Sequence, residues 1–123
     1  MGYSLNIDNT SRIARITIWG KPTIEEMMDV LRRLTAKGAF VTSKRLWDVR
    51  GATGVLTSDE MEQLAHAALD RDSSGTARVA IVAAVDVVYG LSRVFEVYRE
   101  SEDVTVQVFR DLDEAQLWLE EEL

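Results

Sequence analysis

The chain has 123 residues, one histidine, no cysteine and a formal net charge of −7. That length makes one domain, able to bury about two thirds of its unfolded surface without staples. The residue counts exclude disulfides, thiolate and multi-histidine metal sites and cysteine nucleophiles, so no cofactor is expected. An acidic balance argues against nucleic acid and anionic membrane surfaces, whose recognition needs clustered Lys and Arg. It suits a basic protein partner. No apolar run approaches the ~20 residues of a membrane span, and the first residues lack a basic-then-apolar signal pattern. Met1-Gly2 suggests myristoylation, but Asn6 stands where that motif wants Ser or Thr. The expectation is a cytoplasmic protein with no stable membrane insertion.

Tyr3, Leu5 and Ile7 alternate with polar residues, the period of a half-buried strand. After the turn residues Asn9-Thr10-Ser11, Arg12–Trp19 alternates again, and the short loop predicts an antiparallel hairpin. Gly20-Lys21-Pro22 breaks the pattern. Thr23 and Glu26 then form a capping box for a helix carrying Ile24, Met27, Met28, Leu31 and Leu34 on one side, which stops near Lys37-Gly38. Lys44–Val49 reads as a third strand and Arg50-Gly51-Ala52-Thr53-Gly54 as a loop. Thr57 and Glu60 repeat the capping box, with Leu56 and Met61 placed as a hydrophobic staple, and Met61, Leu64, Ala65, Ala68 and Leu69 face inward.

Beyond the polar stretch Arg71–Thr76, Val79–Val85 is apolar without alternation, as in a strand covered on both faces. Asp86 stands as the N-cap of a helix over Val87–Tyr98, Val104–Phe109 is a fifth strand, and Asp111 with Glu114 opens a last helix that buries Ala115, Trp118 and Leu119. The order ββαβαβαβα predicts a single α/β domain over residues 1–123. Its mixed five-stranded sheet has an N-terminal antiparallel hairpin, with helices mainly on one face. The other face is then partly open, with Trp19 and Trp47 as candidates to lie on it.

Three groups of residues are candidates for chemistry. Strand ends carry ligands in open α/β sheets, and here they hold Asp48, Arg50, Asp86, Arg110 and Asp111. Helix capping and mutual neutralisation account for the same positions. His66 is the one imidazole base, on the flank of an amphipathic helix and with no nucleophile in a recognised arrangement. The helix 87–98 carries more apolar residues than a one-sided stripe needs, and Gly90 softens its first turn. It reads as a lid over an apolar space lined by Met27, Met28, Leu31, Tyr89, Leu91, Phe95 and Tyr98, as a surface for a second subunit, or as a buried core helix. Methionines suit variable cargo because the thioether side chain repacks easily.

The element order, together with Leu46-Trp47-Asp48-Val49-Arg50-Gly51, Tyr89-Gly90-Leu91-Ser92-Arg93 and Val108–Leu119, resembles the SpoIIAA-like family. That family is grouped with the STAS domains and shares its fold with CRAL-TRIO lipid carriers. The resemblance covers nearly the whole chain. It implies a non-catalytic role of one of two kinds: carrying a small nonpolar, lipid-like molecule, here beneath the 87–98 helix, or binding a regulatory protein partner. A homodimer is the expected assembly. The family's regulatory switch corresponds to the loop and helix start at Thr53, Thr57 and Ser58, which offers hydroxyls without the family's phosphoserine motif. Asp72-Ser73-Ser74-Gly75 spells that motif, but it follows a helix and precedes a strand, the reverse of the family's context, and reads as a polar loop.

Overall fold

The computed structural model describes residues 1–123 except 9, 55, 72–75, 100–102 and 122–123, and describes the main chain alone for Leu69, Val87, Leu91, Tyr98 and Arg99. The Asp72–Gly75 motif therefore lies outside the described residues. The elements are β1 (Gly2–Ile7), β2 (Ile13–Gly20), α1 (Ile24–Ala36), a 3-10 turn (Ala39–Val41), β3 (Lys44–Ala52), α2 (Ser58–Arg71), β4 (Ala77–Val82), α3 (Asp86–Arg99), β5 (Val104–Phe109) and α4 (Leu112–Glu120). They form the predicted mixed sheet, in the sequential order β1-β2-β3-β4-β5. β1 and β2 pair antiparallel, and β2 to β5 run parallel.

Sequential parallel strands joined by crossovers of one hand force α1, α2 and α3 onto the same face. Their inner residues, among them Met27, Leu31, Leu34, Leu64, Ala65 and Phe95, pack on Ile16, Ile18, Val79 and Ile81 to make the main core. α4 returns to the opposite face, where Ala115 and Leu119 meet Ile13, Leu46, Ala80 and Val82 in a smaller core. α4 covers β3, β4 and β5 and reaches Ile13 at the start of β2, so the far side of β2 opens only towards its carboxyl end, where Trp19 is 46 % exposed. Trp47 does not join it. The register sets Trp47 opposite Ile16, and so on the three-helix face.

Local chemistry explains most boundaries. Both reciprocal bonds of the first capping box form: Glu26 N–H donates to Thr23 Oγ1 at 3.2 Å, and Thr23 N–H donates to Glu26 Oε1 at 3.1 Å. The second box closes in the same way between Thr57 and Glu60, at 2.9 and 3.2 Å. α1 ends where Gly38 takes the left-handed conformation, φ +83°, that a side chain resists. The hairpin turn is tied by Asp8 Oδ1, which accepts from the N–H groups of Thr10 and Ser11 and keeps the Asp8 carboxyl below its usual range.

Four expectations are corrected. β4 ends at Val82 rather than Val85, because Ala83 N–H is the last to reach β5, donating to Phe109 O. Asp86 does not cap α3 but sits inside its first turn, and its carboxylate goes to Arg110 at 2.8 Å. At α4, Asp111 accepts from Asp113 N–H at 2.9 Å, and among the described residues Glu114 returns no bond, so the expected box is a simple cap. The stretch from Arg50 to Ala52 is strand, not loop. β3 continues along β2 through a bulge in which Ile18 alone stands opposite Val49 and Arg50.

Candidate functional site

That bulge shapes the site. Successive strand residues point to opposite faces, and one extra residue reverses the alternation. Trp47 and Val49 face the helices; after the bulge Gly51 lies beside Trp19 on the open face, and Ala52 returns to the helical side. There, at the carboxyl ends of the parallel strands, lies a half-enclosed cavity of about 90 Å³. Its floor is Ile18, Trp47, Val49, Ala52 and Ile81. Met27 and Leu31 of α1, with Met61 and Leu64 of α2, form one wall. Val88, Ser92 and Phe95, spaced four and then three residues apart on α3, form the roof. Pro22, Gly54 and Leu56 complete the lining, and Gly54 lets the Lys21 stem pass at a distance a β-carbon would block.

Of the residues expected to line such a space, Met27, Leu31 and Phe95 do. Met28 does not: one position further round α1, it faces a surface groove with Ile24, Asp29 and Arg32. Tyr89 is also outside the lining. It is half-buried against the core, with the Arg110 guanidinium 4.3 Å from its ring centre. The side chains of Leu91 and Tyr98 lie outside the described residues. Trp47, Ala52 and Ser92 are lining residues that sequence periodicity does not single out, whereas Leu56 and Met61 read as a staple rather than as lining.

Contacts tie α3 down in both halves. In its second half Glu96 Oε2 accepts from Val108 N–H at 3.1 Å, which ties the helix to an edge-strand donor of β5. In its first turn Val88 is buried and Tyr89 packs on the core, while Arg110 pairs with the exposed Asp86 and covers Tyr89. Exposed ion pairs contribute at most about 1 kcal/mol. Gly90 lies in that turn with open space where a β-carbon would stand.

The strand-end charges form a separate system on the other side of the sheet. Asp48, buried, accepts from Arg50 Nε at 2.8 Å and Nη2 at 2.7 Å, and from Arg15 Nη2 at 3.3 Å. The Arg50 hydrogen bond above all holds the Asp48 carboxyl below its ordinary range, against the opposing effect of burial. The same bond raises Arg50, with Asp111 and Asp113 adding to it. These acids and guanidiniums thus neutralise one another. His66 is exposed on α2, 3.9 Å from Glu62. Thr53 and Ser58 are exposed, and the Thr57 hydroxyl is engaged as the α2 cap. Among the described residues no group of His, Asp or Glu is arranged to hold a metal, and no helix is long and apolar enough to cross a membrane.

No protein-family model and no curated protein matches the chain. Among solved structures it is similar to an uncharacterised protein of the DUF3478 family with a SpoIIAA-like fold from Shewanella loihica PV-4. The identity is 18 % and the TM-score 0.64, over 96 % of this chain and 94 % of that one. The chain has a SpoIIAA-like fold.

Proposed function

We propose that this domain is a non-catalytic binder of a small nonpolar molecule, which enters the cavity beneath α3. The observation that carries the reading is the cavity itself, nearly all apolar in lining and placed where open α/β sheets receive ligands. Its size limits the cargo. A sealed cavity of about 150 Å³ holds benzene; at about 90 Å³ this one takes the last few carbons of a chain, and a one-ring molecule enters as Met27 and Met61 repack around it. A whole lipid does not fit within it. The start of α3, with Gly90 and the exposed Asp86–Arg110 pair, is the part of the roof through which the ligand is proposed to enter.

A homodimer remains the proposed assembly, since Val85 and Val97 leave apolar surface exposed at the start and on the outside of α3. A regulatory partner docking on the Thr53–Ser58 segment is the second reading. It is favoured by the exposed hydroxyls of Thr53 and Ser58, next in sequence to the cavity-lining residues Gly54 and Leu56. Native mass spectrometry of freshly purified protein, followed by organic extraction, separates these readings. Extra mass that extracts as a small nonpolar compound is the expected result. A ligand-free dimer would move the weight to α3 as an interface, and a ligand-free monomer would remove both roles from the helix.

A further inference from the structure

Three polar residues are buried among the described residues: Arg45, Asp48 and Ser92. Arg45 donates from Nε to Thr42 O at 2.9 Å, and Asp48 is held by two arginines. Ser92 differs. It is 4 % exposed and lines the cavity, and its hydroxyl has no hydrogen-bond partner among the described residues. A hydroxyl within a helix can turn back onto the carbonyl four residues earlier, as Thr35 does onto Leu31 at 2.7 Å. Ser92 makes no such bond to Val88.

Leaving a buried hydroxyl unpaired is unfavourable, and alanine would suit both the helix and the apolar wall better. Such an exception calls for a missing partner. Among the described residues the indole of Trp47 is the one other lining side chain with a nitrogen or oxygen atom, and that residue is only half-buried. Among the described residues no charged side chain lines the cavity, so none of them would compensate an ionised carboxylate.

We infer that the ligand is an uncharged, one-ring-sized nonpolar molecule bearing one hydrogen-bonding oxygen, as in an alcohol, phenol or ketone, which Ser92 Oγ anchors beneath α3. This rests on reading the cavity as a ligand site, and it adds the polar group that orients the cargo.

Phenol and toluene, nearly equal in shape, are the probes, titrated by calorimetry into the wild type and Ser92→Ala. Ser92→Ala is expected to weaken phenol about tenfold, the net worth of one hydrogen bond, while toluene binds unchanged or more tightly. Without probe, the variant is expected to have the higher Tm. If both proteins bind the two probes in the same ratio, the anchor is refuted while the apolar cavity stands. A lower Tm for Ser92→Ala would mean that the hydroxyl already has a partner in the empty protein, and would overturn the anchor as well. If neither probe binds the wild type, the ligand-site reading fails and takes the anchor with it.

Discussion

Replacing Ala52 by leucine tests the cavity without touching a helix. Ala52 is buried at the end of β3 and, through the bulge, lines the floor. Filling 90 Å³ at about 24 cal/mol per Å³ is worth about 2 kcal/mol. Three added carbons at about 0.8 kcal/mol each give about 2.4 kcal/mol, in agreement. Ordering the leucine costs about 0.5–1 kcal/mol, and imperfect fit takes a further share. A net gain of about 1 kcal/mol remains, or about 4 °C in Tm for a domain of this size. Thermal unfolding by circular dichroism, with a phenol titration beside it, reads both consequences. The expected result is a higher Tm and lost binding. Unchanged phenol affinity would refute the reasoning, because a filled cavity cannot still accept the probe.

Three further substitutions test the surroundings. Gly90→Ala meets open space, so it should stabilise α3 by about 1 kcal/mol and raise the Tm by about 4 °C; a fall would mean the first turn needs glycine. Asp48→Asn should cost about 2 kcal/mol at pH 7 by weakening hydrogen bonds to two guanidiniums. The folded-state pKa of Asp48 is depressed, so its contribution is full above the unfolded value near 4 and lost as pH falls through the folded one. Denaturant unfolding of Asp48→Asn and wild type should therefore converge in acid, and a constant gap would contradict the assignment. Thr57→Ala should cost about 1 kcal/mol by uncapping α2, whereas Thr57→Asp keeps an acceptor at the cap and should unfold close to wild type.

How much was legible in the sequence depended on whether a signal was local. Capping boxes at Thr23 and Thr57 and the stop at Gly38 are written within a few residues, and they stand as read. The lining residues Met27, Leu31 and Phe95 followed from helical periodicity, but periodicity cannot separate a cavity lining from a core, nor exclude the neighbouring Met28. Strand contributions were hidden. Trp47 joins the floor because of its register against Ile16, which no local pattern encodes. The glycines of Arg50–Gly54 suggested a loop, whereas pairing with β2 carries the strand on to Ala52. Asp86 looked like a cap because its partner, Arg110, lies on the far side of a whole strand.

Three local choices around the cavity are each unfavourable for a domain that only has to fold. The void forgoes about 2 kcal/mol of packing. The Ser92 hydroxyl, without a partner among the described residues, forgoes about 1–3 kcal/mol. Gly90, with room for a side chain, forgoes about 1 kcal/mol of helix propensity. Domains of this kind are stable by about 5–15 kcal/mol, so the three together are a substantial fraction. Two of them lie on α3 within three positions of each other, and the third is the space that α3 roofs. Scattered imperfections would not share one element. Departures from local consistency that converge in this way are expected at functional sites. A binder accounts for all three together: the void receives the ligand, Ser92 orients it, and Gly90 eases the turn that admits it.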